Sequence, residues 1–459
     1  MVSPMSGGPT ARGAALEALR RAGSGPRFLR DDLHAVFERT GLAPRDRALA
    51  TQLAAGTVRH RRTLQCVLSH VRGEPGGAAA IQPALRLILE LGAFQLVFLD
   101  RVPDYAAVNE AVAEAGRTAG KKAAGFVNAI LRGVGRLIVG RDPDGVPARD
   151  ALPHPEGGVV RLGAAVLPDP RENRVAFLGA AYSYPDWLVG RWLDAFGGRA
   201  EAVCRWGNRR PRTFARVNAM RHDAADLLHA LRAEVPDVAE GPRPGSLDVS
   251  ALGAERLETL LRDGSLTVQD PSAMAAVEAL APKAGETVLD LCASPGTKTT
   301  QIVEAMGDAG RVVACDRSDE KLRPLRETVA ARGLASATVC LAAEASAAAP
   351  PAGFDAALVD VPCSNTGVLA RRVEARWRLG PHDVPELAGL QSDLLAKAAA
   401  SVCPGGRLVY STCSLLRDEN EGVVEAFVQP DGNWRLERQD LILPGPDHDG
   451  AFWALLRRL

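Results

Sequence analysis

The sequence predicts a multidomain chain with three folded parts. These are an all-helical N-terminal domain, a small α+β domain and a C-terminal α/β domain on a parallel sheet. Three observations carry this. Residues 11–137 repeat apolar side chains at three- and four-residue spacing. Residues 181–265 alternate short extended and helical stretches. From residue 266 onward, short unbroken apolar runs alternate with helical stretches, as strands buried on both faces do.

In the first part, "ARGAALEALRRA", "RDRALATQLAAGTVRHRRTLQCVLSHV" and "QPALRLILELGAFQLVFL" each carry an apolar stripe. Pro83 stands near a helix start, where its missing N–H costs little. "VPDYAAVNEAVAEAGR" opens on proline and aspartate, a helix entry, and "KKAAGFVNAILRGVGR" is a last amphipathic helix. The helical domain is expected over residues 1–140. Residues 141–180, rich in Pro, Gly and charge, read as a linker, within which "VVRLGAAVLPDPREN" offers a short hairpin. Over 181–265, "TFARVN", "SLDVS" and "LTVQD" are extended, while "DAADLLHALRAE" and "ERLETLLRDG" are helical. That β-α-β-α-β order suits a ferredoxin-like or RNA-recognition-like sheet, and Arg209, Arg210, Arg212 and Arg216 cluster at its entry. Over 266–459 the strands are "TVLDLC", "RVVACD", "ATVCLA", "FDAALVDV" and "RLVYSTC". "DHDGAFWALLRRL" reads as a closing turn, shaped by Asp449 and Gly450, and an edge strand.

Composition narrows the function classes. With 46% apolar residues the chain can bury real cores, which excludes wholesale disorder. No run approaches the ~18 apolar residues of a membrane span. "MVSPMSGGPTARG" has no apolar signal core, so a cytoplasmic protein is expected. Eight cysteines without a CxxC pair, and eight histidines without a cluster, argue against a zinc site, a disulfide framework or any bound metal. Formal net charge is zero, but residues 1–140 hold 19 Lys/Arg against 11 Asp/Glu. A basic front part attracts nucleic acid by releasing counterions; an ordinary arginine-rich helix surface has the same composition.

In an open α/β sheet, ligands bind beyond the carboxyl ends of the strands. Asp290, Asp316, Asp360 and Cys413 all fall at or near such ends. "LDLCASPGTKTT" is a strand, a small-residue turn and a helix start, which lets backbone approach a ligand closely. It is neither GxGxxG nor a P-loop. Asp316, about two dozen residues on, can accept both hydroxyls of a ribose; capping the next helix is the alternative use. A nucleoside pocket without a phosphate motif suggests S-adenosylmethionine. Cys363 in "DVPCSNTGV" and Cys413 in "YSTCS" stand across the strand ends from it. Methylation at C5 of a pyrimidine needs a thiolate to add at C6 first, because C5 alone is a poor nucleophile. Buried free cysteines are also ordinary small hydrophobes. Spacing shows that both can reach the pocket and does not say which attacks.

"VQDPSAMAAVEALAP", "LDLCASPGTKTT", "DVPCSNTGV" with the following "RW", and "GGRLVYSTCSLLRDENE" resemble the motifs of the RsmB (Sun/Fmu) ribosomal RNA cytosine-C5 methyltransferases, in order and spacing. The helical segments in front look like the NusB-type RNA-binding domain fused to those enzymes. The resemblance implies a NusB-like domain, a small RNA-recognition-like domain and a Rossmann-like class I methyltransferase domain. It implies that Cys292, Ala293, Ser294, Pro295, Gly296, Thr297 and Lys298 cradle S-adenosylmethionine, that Asp316 holds its ribose, and that Asp360 lines the pocket between cofactor and base. It makes Cys413 the nucleophile and Cys363 the residue that assists release. The expected partner is 16S rRNA, free or partly assembled into the small subunit, and the expected state is a monomer with no membrane contact.

Three positions depart from the family pattern. Thr297 stands where a second glycine is usual. Ala343, beside Glu344, stands where an adenine-side aspartate is usual, and Glu374 replaces an aspartate. Arg371, Arg372 and Arg376 are candidates for RNA phosphates or for a solvated loop. Trp187, Trp192 and Trp377 are candidates for base stacking or, more commonly, core anchors. Two other readings stay open here: a transfer RNA cytosine-C5 methyltransferase, and a non-catalytic NusB-like RNA-binding factor.

Overall fold

The computed structural model describes residues 10–22, 28–73, 81–429 and 432–459; residues 1–9 of the stretch read for a signal core lie outside these. The chain forms two compact units. One comprises residues up to 210 together with 369–378, the other 211–368 with 379–459.

The first unit opens with helices α1 (Ala11–Ala22), α2 (Leu29–Thr40), α3 (Pro44–Arg59), α4 (Arg61–Arg72), α5 (Pro83–Phe98) and α6 (Asp104–Leu137). Helix α5 is apolar on nearly every side and buries Leu85, Ile88, Leu89, Leu91 and Phe94, so it forms the centre around which the others pack. Gly56 on α3 is required there, because a Cβ would overlap the Phe94 ring. Helix α6 is interrupted at Gly120, whose φ of 82° only glycine adopts easily.

The segment 141–180, expected as a linker, is folded instead. Strands β1 (Ile138–Asp142), β2 (Ala151–Pro153) and β3 (Val159–Leu162) form an antiparallel sheet in the order β1-β3-β2. Its Pro and Gly residues serve the tight turns, with Gly157 and Gly158 at positive φ. The short apolar words "AL" and "VVRL" supply the buried strands. Helices α7 (Arg174–Ala181), α8 (Asp186–Phe196) and α9 (Ala200–Trp206) complete this unit. They fall where the small α+β domain was expected to begin; its sheet starts only at Phe214.

In the second unit, β4 (Phe214–Val217), α10 (Ala224–Glu234), β5 (Ala239–Glu240), β6 (Ser246–Asp248), α11 (Ala254–Arg262) and β7 (Leu266–Val268) build an antiparallel sheet ordered β5-β6-β4-β7. There follow α12 (Pro271–Leu280), β8 (Thr287–Leu291), α13 (Thr297–Ala305), β9 (Arg311–Asp316), α14 (Asp319–Arg332), β10 (Ala337–Leu341) and β11 (Phe354–Asp360). After α15 (Ala375–Arg378), which lies in the first unit, come α16 (Asp383–Ala400), β12 (Val402–Thr412), α17 (Glu421–Val428), β13 (Trp434–Ile442) and β14 (Ala451–Arg458). These strands form one sheet ordered β10-β9-β8-β11-β12-β14-β13. The first five are parallel, and β14 runs antiparallel to both of its neighbours. The sheet is therefore mixed, and the C-terminal strand, expected at an edge, lies inside with β13 as the edge.

Alternate residues of β11 explain the double coverage. Ala357 and Val359 face Leu395 and Ala398 of α16, while Ala356 and Leu358 face Val277 and Leu280 of α12 and Ile302 of α13. Each strand must be apolar on both faces, which is why the sequence shows unbroken apolar runs.

Residues 369–378 pack within the helical unit. Arg376, a candidate for RNA phosphates or for a solvated loop, is instead only 2% exposed. Its guanidinium donates to the carbonyls of Arg59, Ser183, Gly207 and Leu369 and to Asn208 Oδ1, and lies over the Tyr184 ring. The four N–H bonds of its two terminal nitrogens serve five acceptors in a planar fork, more than a lysine's three N–H bonds could reach. Trp192 is buried edge-on against Tyr184 and is a core anchor, while the half-buried Trp377 donates its Nε1–H to the Val58 carbonyl. Glu374 accepts the Leu29 amide at the start of α2, an N-terminal position that favours any carboxylate. Arg376→Ala leaves those acceptors unpaired, so a loss of about 3 kcal/mol or more in unfolding free energy is expected from urea denaturation. Arg376→Lys should recover less than half of it.

Candidate active site

The strand order reverses between β8 and β11, and the crevice beyond their carboxyl ends gathers the residues singled out in the sequence. Strand β8 ends at Leu291, and Cys292 takes a φ of 70°, turning the chain sharply. The Ala293 amide donates to the Cys315 carbonyl, which pins the turn to β9. Gly296, at φ 110°, leads into α13. Thr297 is the first residue of α13 and already helical, so that position does not need glycine's freedom. The Ser294 amide donates to Asp316 Oδ2 (3.2 Å), while Asp316 Oδ1 accepts the Arg317 amide and faces Lys321 Nζ at 3.4 Å. After β10, Glu344 accepts the Leu341 amide of its own turn, and Ala343 carries no polar group for a nucleoside.

This donor set fits S-adenosylmethionine. The turn at 292–296 offers close backbone, α13 presents its N-terminus, and Asp316 carries an acceptor for hydroxyls at the end of β9. Asp316 and Asp360 bring carboxylates to the crevice, which suits a cationic sulfonium. Asp290 is fully buried, with Oδ2 accepting the Thr299 hydroxyl at 2.6 Å.

Across the crevice, β11 and β12 pair in register, Asp360 opposite Ser411. Asp360 Oδ1 accepts the Ser411 hydroxyl (2.6 Å), and Oδ2 binds Lys298 Nζ (2.7 Å). Lys298, grouped by sequence with the cofactor turn, thus reaches with its ammonium to the Asp360 side. Burial pulls that ammonium's pKa down, but Asp360, Cys413 and Asp290 outweigh it, and the net shift is upward. A single cavity is lined by Asp270, Ser272, Lys298, Asp360, Cys413 and Phe452. The sequence reading missed Asp270 and Ser272 as lining residues. Their signal was the helix-capping word "DPS", in which the Asp270 carboxylate accepts the Ser272 amide and hydroxyl.

Cys363 and Cys413 lie with their sulfurs 3.1 Å apart. Asn365 holds the pair, donating to the Cys363 carbonyl (2.8 Å) with its Oδ1 3.5 Å from Cys413 Sγ. The Gly367 amide donates to the Cys413 carbonyl, and the Gly450 amide to the Gly367 carbonyl. A Cβ on Gly367 would press on both backbones, so only glycine lets the Cys363 turn lie this close to Cys413. The hydrogen bond with Cys413, and then burial, raise the Cys363 thiol well above its usual range, so it keeps its proton at neutral pH. Burial, and then Asp316, push Cys292 up to about 12, which makes it inert as a nucleophile.

Burial pushes the Asp290 carboxyl up to about 7, opposed by Thr299 and Lys298 and aided by Asp360 and Asp316. An acid raised on folding contributes most below its unfolded pKa of 3.8, and that contribution is lost as pH rises to about 7. Asp290→Asn cannot ionise, so the fall in Tm between pH 5 and pH 8 is expected to be smaller in the variant. Thermal melts at the two pH values check this.

Residues 277–447 match the family model "16S rRNA methyltransferase RsmB/F", residues 9–136 the "NusB family", and residues 184–244 the "Methyltr_RsmF/B-like, ferredoxin-like domain". A Bacillus subtilis protein named "Probable ribosomal RNA small subunit methyltransferase B" is 33% identical, over 91% of this chain and 88% of its own length. Ribosomal RNA small subunit methyltransferase B of Vibrio cholerae is 30% identical, over 91% of both chains. The crystal structure of PH0851 superposes with a TM-score of 0.74 at 23% identity, over 99% of this chain and all of that one, which supports the fold. The chain belongs to the S-adenosylmethionine-dependent 16S rRNA methyltransferase family RsmB/F.

Proposed function

We propose that the protein methylates C5 of a cytosine in 16S rRNA through a covalent adduct between Cys413 and C6 of the base. The observation that carries this reading is the pair of thiols 3.1 Å apart at the ends of β11 and β12, with Cys413 in one cavity with Lys298 and Asp360. A C5-methylating enzyme must make and later break one carbon–sulfur bond, and two sulfurs at one place suit that cycle.

The target cytosine must leave its stack to enter the cavity. Cys413 attacks C6 through its sulfur, in the cavity it shares with Lys298 and beside the Cys363 thiol. As the sulfur bonds to C6, the ring's double-bond electrons shift and make C5 nucleophilic. Bound S-adenosylmethionine supplies the electrophilic methyl group, and Cys292–Lys298, Asp316 and Asp360 hold and orient it. A base then takes the C5 proton, and Cys363 assists the release that follows. The C5–H electrons restore the double bond, and the C6–S bond breaks to return the Cys413 thiolate.

The NusB-like unit is basic in sequence and is assigned to RNA binding. The substrate is 16S rRNA, free or partly assembled, and the enzyme acts as a cytoplasmic monomer. Arg371 and Arg372 are exposed, with the Arg372 guanidinium 5.0 Å from the Phe28 ring centre. Sequencing of bisulfite-treated RNA from a deletion strain tests the substrate. Loss of one 5-methylcytosine from 16S rRNA is expected, and loss from a transfer RNA alone would replace this reading. Cys413→Ala is expected to abolish both methyl transfer and adduct. Cys363→Ala should attack but release slowly, so a protein–RNA adduct accumulates on a denaturing gel.

A further inference from the structure

Both cysteines are followed directly by serine, as "PCS" and "TCS", and both serines reach one buried carboxylate. Glu419 lies in the short turn between β12 and α17 and is wholly buried. Its Oε1 accepts the Ser364 amide (2.8 Å) and Gln391 Nε2 (2.9 Å). Its Oε2 accepts the hydroxyls of Ser364 and Ser414. One carboxylate thus grips the residue after Cys363 and the residue after Cys413.

The residues before the cysteines are gripped by the same cluster. Gln391 Nε2 also donates to the Pro362 carbonyl (3.0 Å), on the other side of Cys363. Asn420, next to Glu419, accepts the Thr412 hydroxyl (2.6 Å) and donates to the Ser414 carbonyl (3.0 Å), bracketing Cys413. The Tyr410 hydroxyl donates to the Glu419 carbonyl (2.6 Å) and fixes the turn to β12. Each thiol is therefore held from both flanks, and Glu419 grips both loops at once, beside the direct bonds of Ser364 to Ser414 and of the Leu415 amide to the Thr366 hydroxyl.

A carboxylate is the group this arrangement needs. Four donors converge on it, and an ionised carboxylate has lone pairs for all four, whereas an amide accepts at one oxygen only. Burying a charge is costly, and a hydrogen-bonded buried charge earns its place through geometry more than through stability.

We propose that Glu419 is a positioning residue that sets the distance between the two catalytic sulfurs, with Gln391 and Asn420 as its supports. The proposal rests on the two-cysteine reading above. It assigns to the "DENE" word that follows the nucleophile a role in the chemistry it does not touch.

Phenylarsine oxide tests the spacing without RNA. It condenses with two thiols, losing water, and bridges them only where the sulfurs lie close. The bridge is read by peptide mass, as joint protection of Cys363 and Cys413 from iodoacetamide. This resolves it from the other close pair, Cys315 and Cys340, whose sulfurs are 3.3 Å apart. Glu419→Ala in the full chain is expected to weaken that bridge about tenfold and slow methyl transfer to transcribed 16S rRNA about a hundredfold. Its S-adenosylmethionine Kd by calorimetry should stay within about twofold of wild type. Glu419→Gln, keeping one acceptor oxygen, should fall between. Wild-type bridging in Glu419→Ala overturns the proposal. Should Glu419→Ala lose cofactor binding as well, Ser364→Ala and Gln391→Ala decide. Weaker bridging with cofactor binding retained supports the proposal, and wild-type bridging in both overturns it. A wild-type protein that bridges but methylates no 16S rRNA defeats the proposed function instead and leaves the spacing role standing.

Discussion

The parallel pairing of β8 with β11, Ala356 opposite Val288 through Val359 opposite Leu291, is the constraint on which the site depends. Parallel strands send all their following loops to one edge of the sheet. The order reverses at this pair, so the loops on either side splay apart and leave a crevice. The turn after β8 and the carboxylate ending β9 line one wall. The aspartate ending β11 and the cysteine following β12 line the other. Neither wall depends on a long loop finding its own place, because Cys292, Asp316, Asp360 and Cys413 each end a paired strand or directly follow one. The antiparallel β14 extends the same principle, since it closes on β12 and brings Gly450 against Gly367 under the cysteine turn.

Three thiols around this crevice are chemically distinct because their surroundings differ. Cys292 sits among carboxylates and in apolar packing, and both discourage an anion. Cys363 keeps its proton because a second sulfur and burial oppose its loss. Cys413 shares its cavity with the Lys298 ammonium. The polar residues beneath the pair are all satisfied, so the sulfurs rest on a fixed platform between the two apolar faces of the sheet.

Much of this was legible in the sequence, for identifiable reasons. Strands buried on both faces must be unbroken apolar runs, so β8, β9, β11 and β12 announced themselves, and polar residues at their ends marked the crevice. The helices of the first unit showed through their apolar stripes. Three features did not show. The small sheet of β1–β3 hid in a Pro- and Gly-rich stretch, because its strands are three to five residues long and mostly turn. The place of β14 inside the sheet depends on a long-range pairing that "AFWALLRR" does not encode locally. Arg376 looked like a surface cation because side-chain type suggests exposure, whereas its acceptors come from residues 59, 183, 207 and 208, far away in the chain. Glu419 was hidden for the same reason. An acidic "RDENE" reads as a solvated helix start until the fold brings Ser364 beneath it.

The ten residues 369–378 give the chain an order of assembly as well as a shape. Arg376 and Trp377 fill positions inside the helical unit, whose other residues end at 210. A ribosome making this protein exposes the first 210 residues well over a hundred codons before the piece that completes them. At elongation rates of about 5–20 residues per second, that interval lasts on the order of ten seconds. Through it the carbonyls of Arg59, Ser183 and Gly207 have no guanidinium to meet. The N-terminal part therefore cannot reach its final state as an independent early module. Its completion is tied to synthesis of the segment that directly follows the Cys363 turn.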